Sequence, residues 1–244
     1  MKTLRVFYFI NSVRLLHLHF SYFSSMTIDP FISSSLGKKV VMACTGLFLV
    51  LFLFEHLYGN LMLYAHDGGA AFNEYSHSMS HNLLIRIVEI LLFVSIIIHV
   101  VQAIYLTKQN SDARPVKYAM FKAGETSSWF SRNMGITGSV IFVFLVIHLR
   151  TFFFPYRVGN GIDDIAMSVQ DAFSSAWYAG FYFMAMLILG FHINHGFQSA
   201  FRSLGLNNKK YAPVLKIASA GIAVLFFLGF ASFPILFYFK IVTL

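Results

Sequence analysis

Five stretches of this sequence are apolar for longer than the roughly 20 residues a helix needs to cross the hydrocarbon of a bilayer. They run from about Val40 to Tyr64, Leu83 to Leu106, Phe130 to Phe154, Ala176 to Ala200 and Pro213 to Phe239. Inside hydrocarbon every backbone polar group must find its partner within the segment, so each stretch is predicted to be a helix. The third is expected to end at Pro155, and the fifth holds Pro234 near its end. Composition excludes a soluble alternative: 57% of the 244 residues are hydrophobic and only 11% charged, where a soluble domain has about 25% charged. The expected fold class is all-α integral membrane, with five transmembrane helices of which the first four form a bundle. One cysteine, Cys44, rules out a disulfide framework, a Cys-ligated iron–sulfur cluster and a Cys-rich zinc site.

The basic residues give the chain a direction. Lys2, Arg5, Arg14, Lys38 and Lys39 precede the first helix, and Lys108, Arg114, Lys117, Lys122 and Arg132 lie between the second and third. Arg202, Lys209, Lys210 and Lys216 lie between the fourth and fifth, which places 14 of the 18 Lys and Arg on one side. Only Arg86, Arg150, Arg157 and Lys240 fall on the other side, with Asp67, Glu74, Asp163, Asp164 and Asp171. The positive-inside rule then predicts a cytoplasmic N-terminus and an external C-terminus. Residues 1–36 read as a cytoplasmic or surface arm, and residues 37–244 as the five-helix domain. The arm is expected to be a surface-lying amphipathic helix, or an upstream extension with translation starting at Met26, rather than a cleaved leader. Trp129 and Trp177 stand at helix entrances and read as interfacial anchors.

Ten histidines are the second anomaly. His17 and His19 sit in the arm, and His66, His77 and His81 in or near the first external loop, where solvated polar residues are ordinary. His77 and His81 have the spacing of a metal site on a helical turn, a weak signal alone. His56, His99, His148, His192 and His195 lie within apolar spans, where an ionisable residue is expensive and points to function. Helices 1 to 4 each carry at least one and helix 5 none.

Depth orders them. His56 stands 17 residues after Lys39, and His148 stands 16 after Arg132, which puts both ~25 Å above the inner boundary. His99 is nine residues before Lys108 and His192 ten before Arg202, so both lie ~14–15 Å from that boundary. The four form two level pairs. The chain also repeats: Thr45-Gly46 precedes His56 by ten residues, and Thr137-Gly138 precedes His148 by ten. Gly46 and Gly138 fall near the level of the His99/His192 pair and are expected to make room for a flat macrocycle; close helix packing is the alternative reading. Two histidines from different helices at one depth, twice, match bis-His haem ligation, in which the iron has no open position and carries electrons. His195 lies about 60° round the helix from His192, so it is expected near a propionate, a lipid headgroup or a partner subunit.

The residues resemble a known family. The run Ser35-Leu-Gly-Lys-Lys through Glu55-His56-Leu-Tyr-Gly-Asn60 is similar to the first helix of the cytochrome b subunit of succinate dehydrogenases and fumarate reductases, single-chain di-haem type. So are Ser131-Arg132-x-x-Gly-x-Thr-Gly138 leading to His148, and Gly190-Phe-His192-x-x-His-Gly196 leading to Leu204-Gly205. The resemblance runs from about Ser33 to the C-terminus. It implies two b haems, the outer on His56 and His148 and the inner on His99 and His192. It also implies a flavoprotein and an iron–sulfur partner on the cytoplasmic side, with menaquinone or a related quinone as substrate near the outer haem. The location it implies is a bacterial cytoplasmic membrane, and a dimer of the complex is compatible with it. At position 195 several relatives carry Asn.

Other site residues are expectations on simpler grounds. Glu89 stands first as a proton relay to quinone, followed by Glu55 and Glu74; Glu55 and Glu89 could equally be ion-paired or water-lined. Ser131 and Arg132 are candidates to hold haem propionates through charge-assisted hydrogen bonds, with Arg132 as a positive-inside anchor the competing reading. The basic loops suit an acidic soluble partner or anionic membrane lipid, and nothing points to nucleic acid. A cytochrome b of a formate dehydrogenase or hydrogenase, a haem-free transporter with His relays, and a membrane di-iron desaturase remain as alternatives. The last would need dense His clusters near one face, whereas His77/His81 and His192/His195 fall on opposite sides.

Overall fold

The computed structural model of the chain describes residues 30–112, 129–158, 164–206 and 208–244. Most of the N-terminal arm with Met26, the basic residues Arg114, Lys117 and Lys122, Asp163 and the Trp129 side chain lie outside the described residues. Two compact units divide between Lys38 and Lys39, and the second, Lys39–Leu244, contains every candidate site residue. All regular structure among the described residues is helical. Five helices are long and apolar enough to cross a membrane: Ser35–Tyr64, Leu83–Asp112, Met134–Arg157, Ala176–Ser203 and Ala212–Tyr238. The chain is therefore a multi-pass membrane protein; these helices are called spans 1 to 5.

Contacts fix their directions. Gly135 at the start of span 3 abuts Thr107 near the end of span 2, and Met134 abuts Gly196 of span 4. Spans 1 to 4 thus alternate in direction, with Lys39, Lys108, Arg132 and Arg202 gathered at one end, the basic end. Span 5 runs antiparallel to span 4 and parallel to span 1. Gln198 Nε2 donates to Ser219 Oγ at 2.8 Å, and Ser219 Oγ lies 3.1 Å from Asn194 Oδ1. Further along, Phe54 meets Phe226 with ring centroids 4.7 Å apart, and the Tyr64 hydroxyl meets Ser232 Oγ at 2.8 Å. Close approach needs small residues where apolar attraction gives helices no preference for one another over lipid. A Cβ at Gly229 would lie 2.9 Å from the Leu57 methyl carbons, and one at Gly190 would lie 3.3 Å from the Ala223 carbonyl oxygen. The densest packing surrounds Phe226, Ala231, Phe233 and Phe237 of span 5 with Tyr182, Met186 and Ile193 of span 4.

Three features depart from the sequence expectation. Span 3 does not stop at Pro155. It continues to Arg157 through a π-helical turn at Leu149–Phe153, with Pro155 at the start of the closing turn. Proline cannot donate to the preceding turn and its ring crowds that carbonyl, and the wider i→i+5 register removes the conflict. At its other end span 3 starts at Met134, because Asn133 breaks the helix after a separate turn at Trp129–Arg132. Finally, the far end is capped by two short helices, Ala70–His81 and Ile165–Phe173, rather than by plain loops. Gly69 has φ 84° and its missing Cβ leaves room for Ala166. Asn73 clasps the pair, donating to Asp164 Oδ1 at 2.9 Å and accepting from the Ala166 N–H at 3.0 Å.

Candidate functional site

Four of the five intramembrane histidines, His56, His99, His148 and His192, stand on four different spans, one each from spans 1 to 4. All four are half-buried, and they gather at two levels. At the outer level the rings of His56 and His148 meet edge to face, with centroids 5.7 Å apart and planes at 86°. Each is backed by a phenylalanine one turn earlier on its own helix, Phe52 on His56 at 5.3 Å and Phe144 on His148 at 5.7 Å. Two imidazoles on opposite sides of one metal, each bonded at about 2.0–2.1 Å, would have ring centroids about 6 Å apart. The outer pair stands close to that separation.

The inner level is built by the repeat. Thr45 Oγ1 lies 3.2 Å from His99 Nδ1, and Thr137 Oγ1 lies 3.3 Å from His192 Nδ1. Beside each threonine is its glycine. A Cβ at Gly46 would stand 3.3 Å from His99 Cε1, and one at Gly138 would stand 3.6 Å from His192 Cε1. The atoms nearest both glycines are thus imidazole carbons of the inner pair, so the missing side chains admit the histidine rings themselves. Span 1 seats the histidine of span 2 and span 3 seats that of span 4, by the same two residues. Of the two histidines on span 4, His192 is the one that meets Thr137 and Gly138. His195 is half-buried.

The outer pair has different support. The Tyr182 hydroxyl lies 3.0 Å from His148 Nδ1, and Tyr178 donates to Tyr182 at 3.1 Å. Tyr182 is buried at 5% exposure between Phe144 and Phe173. Nothing in the sequence singles out these two tyrosines, because eight other tyrosines outside the N-terminal arm share their composition signal. One buried hydroxyl has no partner among the described residues: Ser95 Oγ, on span 2 one turn from His99.

The carboxylates divide. Glu89 is held between two guanidinium groups. Arg86 donates to both of its oxygens at 3.1 and 3.2 Å, and Arg157 makes a short ion pair with it. Arg157 also donates to the Ser80 carbonyl at 3.2 Å, so the cluster ties span 2, the end of span 3 and the capping helix together. A carboxylate in this position is an ion-pair member, and service as a proton relay would require breaking those pairs. Glu55 is exposed and accepts from the Tyr75 hydroxyl at 2.5 Å. Burial, and next the carboxylate of Glu55, push the Tyr75 phenol above its ordinary range. Gly59 makes that contact possible, since a Cβ there would overlap the Tyr75 ring. Glu74 is exposed.

Ser131 and Arg132 are exposed at the basic end, on the turn preceding span 3. His77 and His81 do share one helical face, with ring centroids 4.1 Å apart, but no group of three metal-ligating side chains forms among the described residues. Trp177 is 82% exposed at the start of span 4, as an interfacial anchor requires.

The donor chemistry suits haem iron, imidazoles from facing helices in a bundle core, while the glycines of the repeat make room for the His99 and His192 rings and not for a macrocycle. Comparison with known proteins adds no name to this geometry, for no family model, curated protein or solved structure matches the chain.

Proposed function

We propose that this chain is the membrane-anchor cytochrome b subunit of a succinate:quinone oxidoreductase, a succinate dehydrogenase or fumarate reductase. It would lie in a bacterial cytoplasmic membrane with its basic end inward. The observation that carries the proposal is the meeting of His56 with His148 across spans 1 and 3, together with the seating of His99 and His192 against a repeated Thr-Gly on those same two spans. Bis-imidazole haem b has no open coordination position, so what it supplies when bound is one-electron transfer. In this reading His56 and His148 hold the outer haem and His99 and His192 the inner one.

The remaining tasks belong to the chain's own side chains. Phe52, Phe144 and Phe152 exclude water from the outer pair, and Tyr182 and Tyr178 hold the His148 ring. The Arg86–Glu89–Arg157 cluster fixes the outer ends of spans 2 and 3 beside the level where quinone would bind. Glu55, hydrogen-bonded to Tyr75 and open to the surroundings, is better disposed than Glu89 to exchange a proton with quinone. The chain has no nucleotide-binding motif and no cysteine ligand set, so dicarboxylate chemistry falls to flavoprotein and iron–sulfur partners at the basic end. Electrons would pass between those partners and quinone, which the family resemblance makes menaquinone.

An absorption spectrum of the purified chain tests the haem assignment, with two b haems per chain as the expected result. A colourless, iron-free protein would refute it. His56→Ala and His99→Ala should each remove one haem. Co-purification with a flavin-containing subunit that oxidises succinate tests the partner assignment. A partner with molybdenum or nickel would instead assign the chain to a formate dehydrogenase or hydrogenase.

A further inference from the structure

The hydroxyls of Thr45 and Thr137 each have an acceptor within their own helix. Thr45 Oγ1 donates into its own helix, to the Val41 carbonyl at 2.9 Å or the Met42 carbonyl at 3.1 Å. Thr137 Oγ1 donates to the Met134 carbonyl at 3.1 Å. With the proton so placed, each oxygen offers its histidine a lone pair, and the contact at 3.2 or 3.3 Å is then closed by a proton on imidazole Nδ1. A neutral imidazole carries one such proton, so both rings are left with an unprotonated Nε2. Threonine is separated from its histidine by 54 residues in one case and 55 in the other. Two distant pieces of chain make the same contact, with the same back-bonded threonine and the same neighbouring glycine. The outer pair shares none of this: His148 Nδ1 faces Tyr182.

Resting on the haem reading above, we propose that Thr45 and Thr137 are positioning residues for the inner haem, fixing the tautomer and ring orientation of His99 and His192 so that both present Nε2 to iron. Outer-shell partners of this kind commonly change metal affinity by about 10–100-fold. A donor bond from Nδ1–H also raises the electron-releasing power of the ligand, which favours ferric iron.

The test uses the intact complex with its partners. Thr45→Val and Thr137→Val keep shape and remove the hydroxyl, while Thr45→Ser and Thr137→Ser restore it. Readouts are haem count, the electron paramagnetic resonance signals of the two low-spin ferric haems, their midpoint potentials, and the rate of haem loss to apomyoglobin. Each Val variant should move the signal and raise the potential of the inner haem alone, and release that haem about 10–100-fold faster. Each Ser variant should match the wild type. Val variants with an unchanged inner haem overturn the proposal while leaving the haem reading intact, and so does a change confined to the outer haem. A wild-type complex without b haem defeats the haem reading itself. Should the Val variants not assemble, electron–nuclear double resonance of the wild-type inner haem in H2O and D2O carries the test. An exchangeable Nδ1 proton on both ligands is required, and its absence from either overturns the proposal.

Discussion

Alanine at Gly46 and at Gly138 should have unequal effects, although the two glycines occupy equivalent places in the repeat. The new Cβ would stand 3.3 Å from His99 Cε1 at the first position and 3.6 Å from His192 Cε1 at the second. Carbon atoms attract best at about 3.5–4.0 Å. Gly138→Ala therefore adds an ordinary contact, and it removes a mid-helix glycine at a gain of up to about 0.8–1.0 kcal/mol. Gly46→Ala gains the same backbone term but forces the His99 ring back by a few tenths of an ångström. Overpacking of this kind costs about 1–3 kcal/mol, so the net effect should be a destabilisation of about 0–2 kcal/mol. The displaced ring also lengthens the Thr45 contact, so the damage should concentrate at the inner level. Thermal midpoint of the purified chain and, on the proposed haem reading, its haem stoichiometry measure both quantities. Gly138→Ala should equal or exceed the wild type in thermal midpoint and match it in haem, and Gly46→Ala should fall below it in both. Equal loss from the two variants, or a greater loss from Gly138→Ala, would refute this account of the clearance.

Three further outcomes follow from contacts outside the histidine levels. Ser219→Ala strips Gln198 and Asn194 of their shared partner on span 5, and interhelical hydrogen bonds in membranes average about 0.6 kcal/mol with a maximum near 1.7. Detergent-titrated unfolding should therefore show a loss of about 1–2 kcal/mol, and no loss would mean the network is idle. Arg157→Met leaves the partly buried Glu89 with Arg86 alone. Breaking a fully buried pair costs about 3–5 kcal/mol, so a loss of about 1–3 kcal/mol is expected for this one, with Glu89→Gln/Arg157→Met recovering part of it in a double-mutant cycle. Asp164 caps the helix Ile165–Phe173, accepting from the Met167 N–H at 2.9 Å. That backbone bond, and next the Asn73 amide, hold its carboxyl below the usual carboxylate range. A depressed folded pKa means the stabilisation is present above the unfolded value of about 3.9 and disappears as pH falls through the folded value. Asp164→Ala should cost about 1 kcal/mol at pH 7, with a smaller difference from wild type at pH 3, and a difference independent of pH would contradict the assigned cap.

The five spans were legible because hydrocarbon imposes a length and a polarity on any crossing helix, and both are properties of the chain read in order. The common level of His56 and His148, whose rings meet, was legible for the same reason: helical rise converts residue number into depth when basic residues mark the boundary. Rotation about each helix axis was not legible. The repeat Thr-Gly was visible as a pattern, yet only packing showed that Gly46 and Gly138 face the imidazoles of His99 and His192 and that their threonines touch Nδ1. Azimuth and inter-helix distance depend on every neighbour at once, including Gly190 and Gly229, which set how closely span 5 approaches spans 4 and 1. Likewise the sequence placed Glu89 at the outer level, but Arg157, 68 residues away, reaches it only because the π-helical turn carries span 3 past Pro155. What the sequence determined by itself was one-dimensional: which segments cross, in what order, and at what depth each histidine lies. The tertiary structure decided what each of those side chains meets, because the partners come from other helices and no local rule sets the angle at which they face.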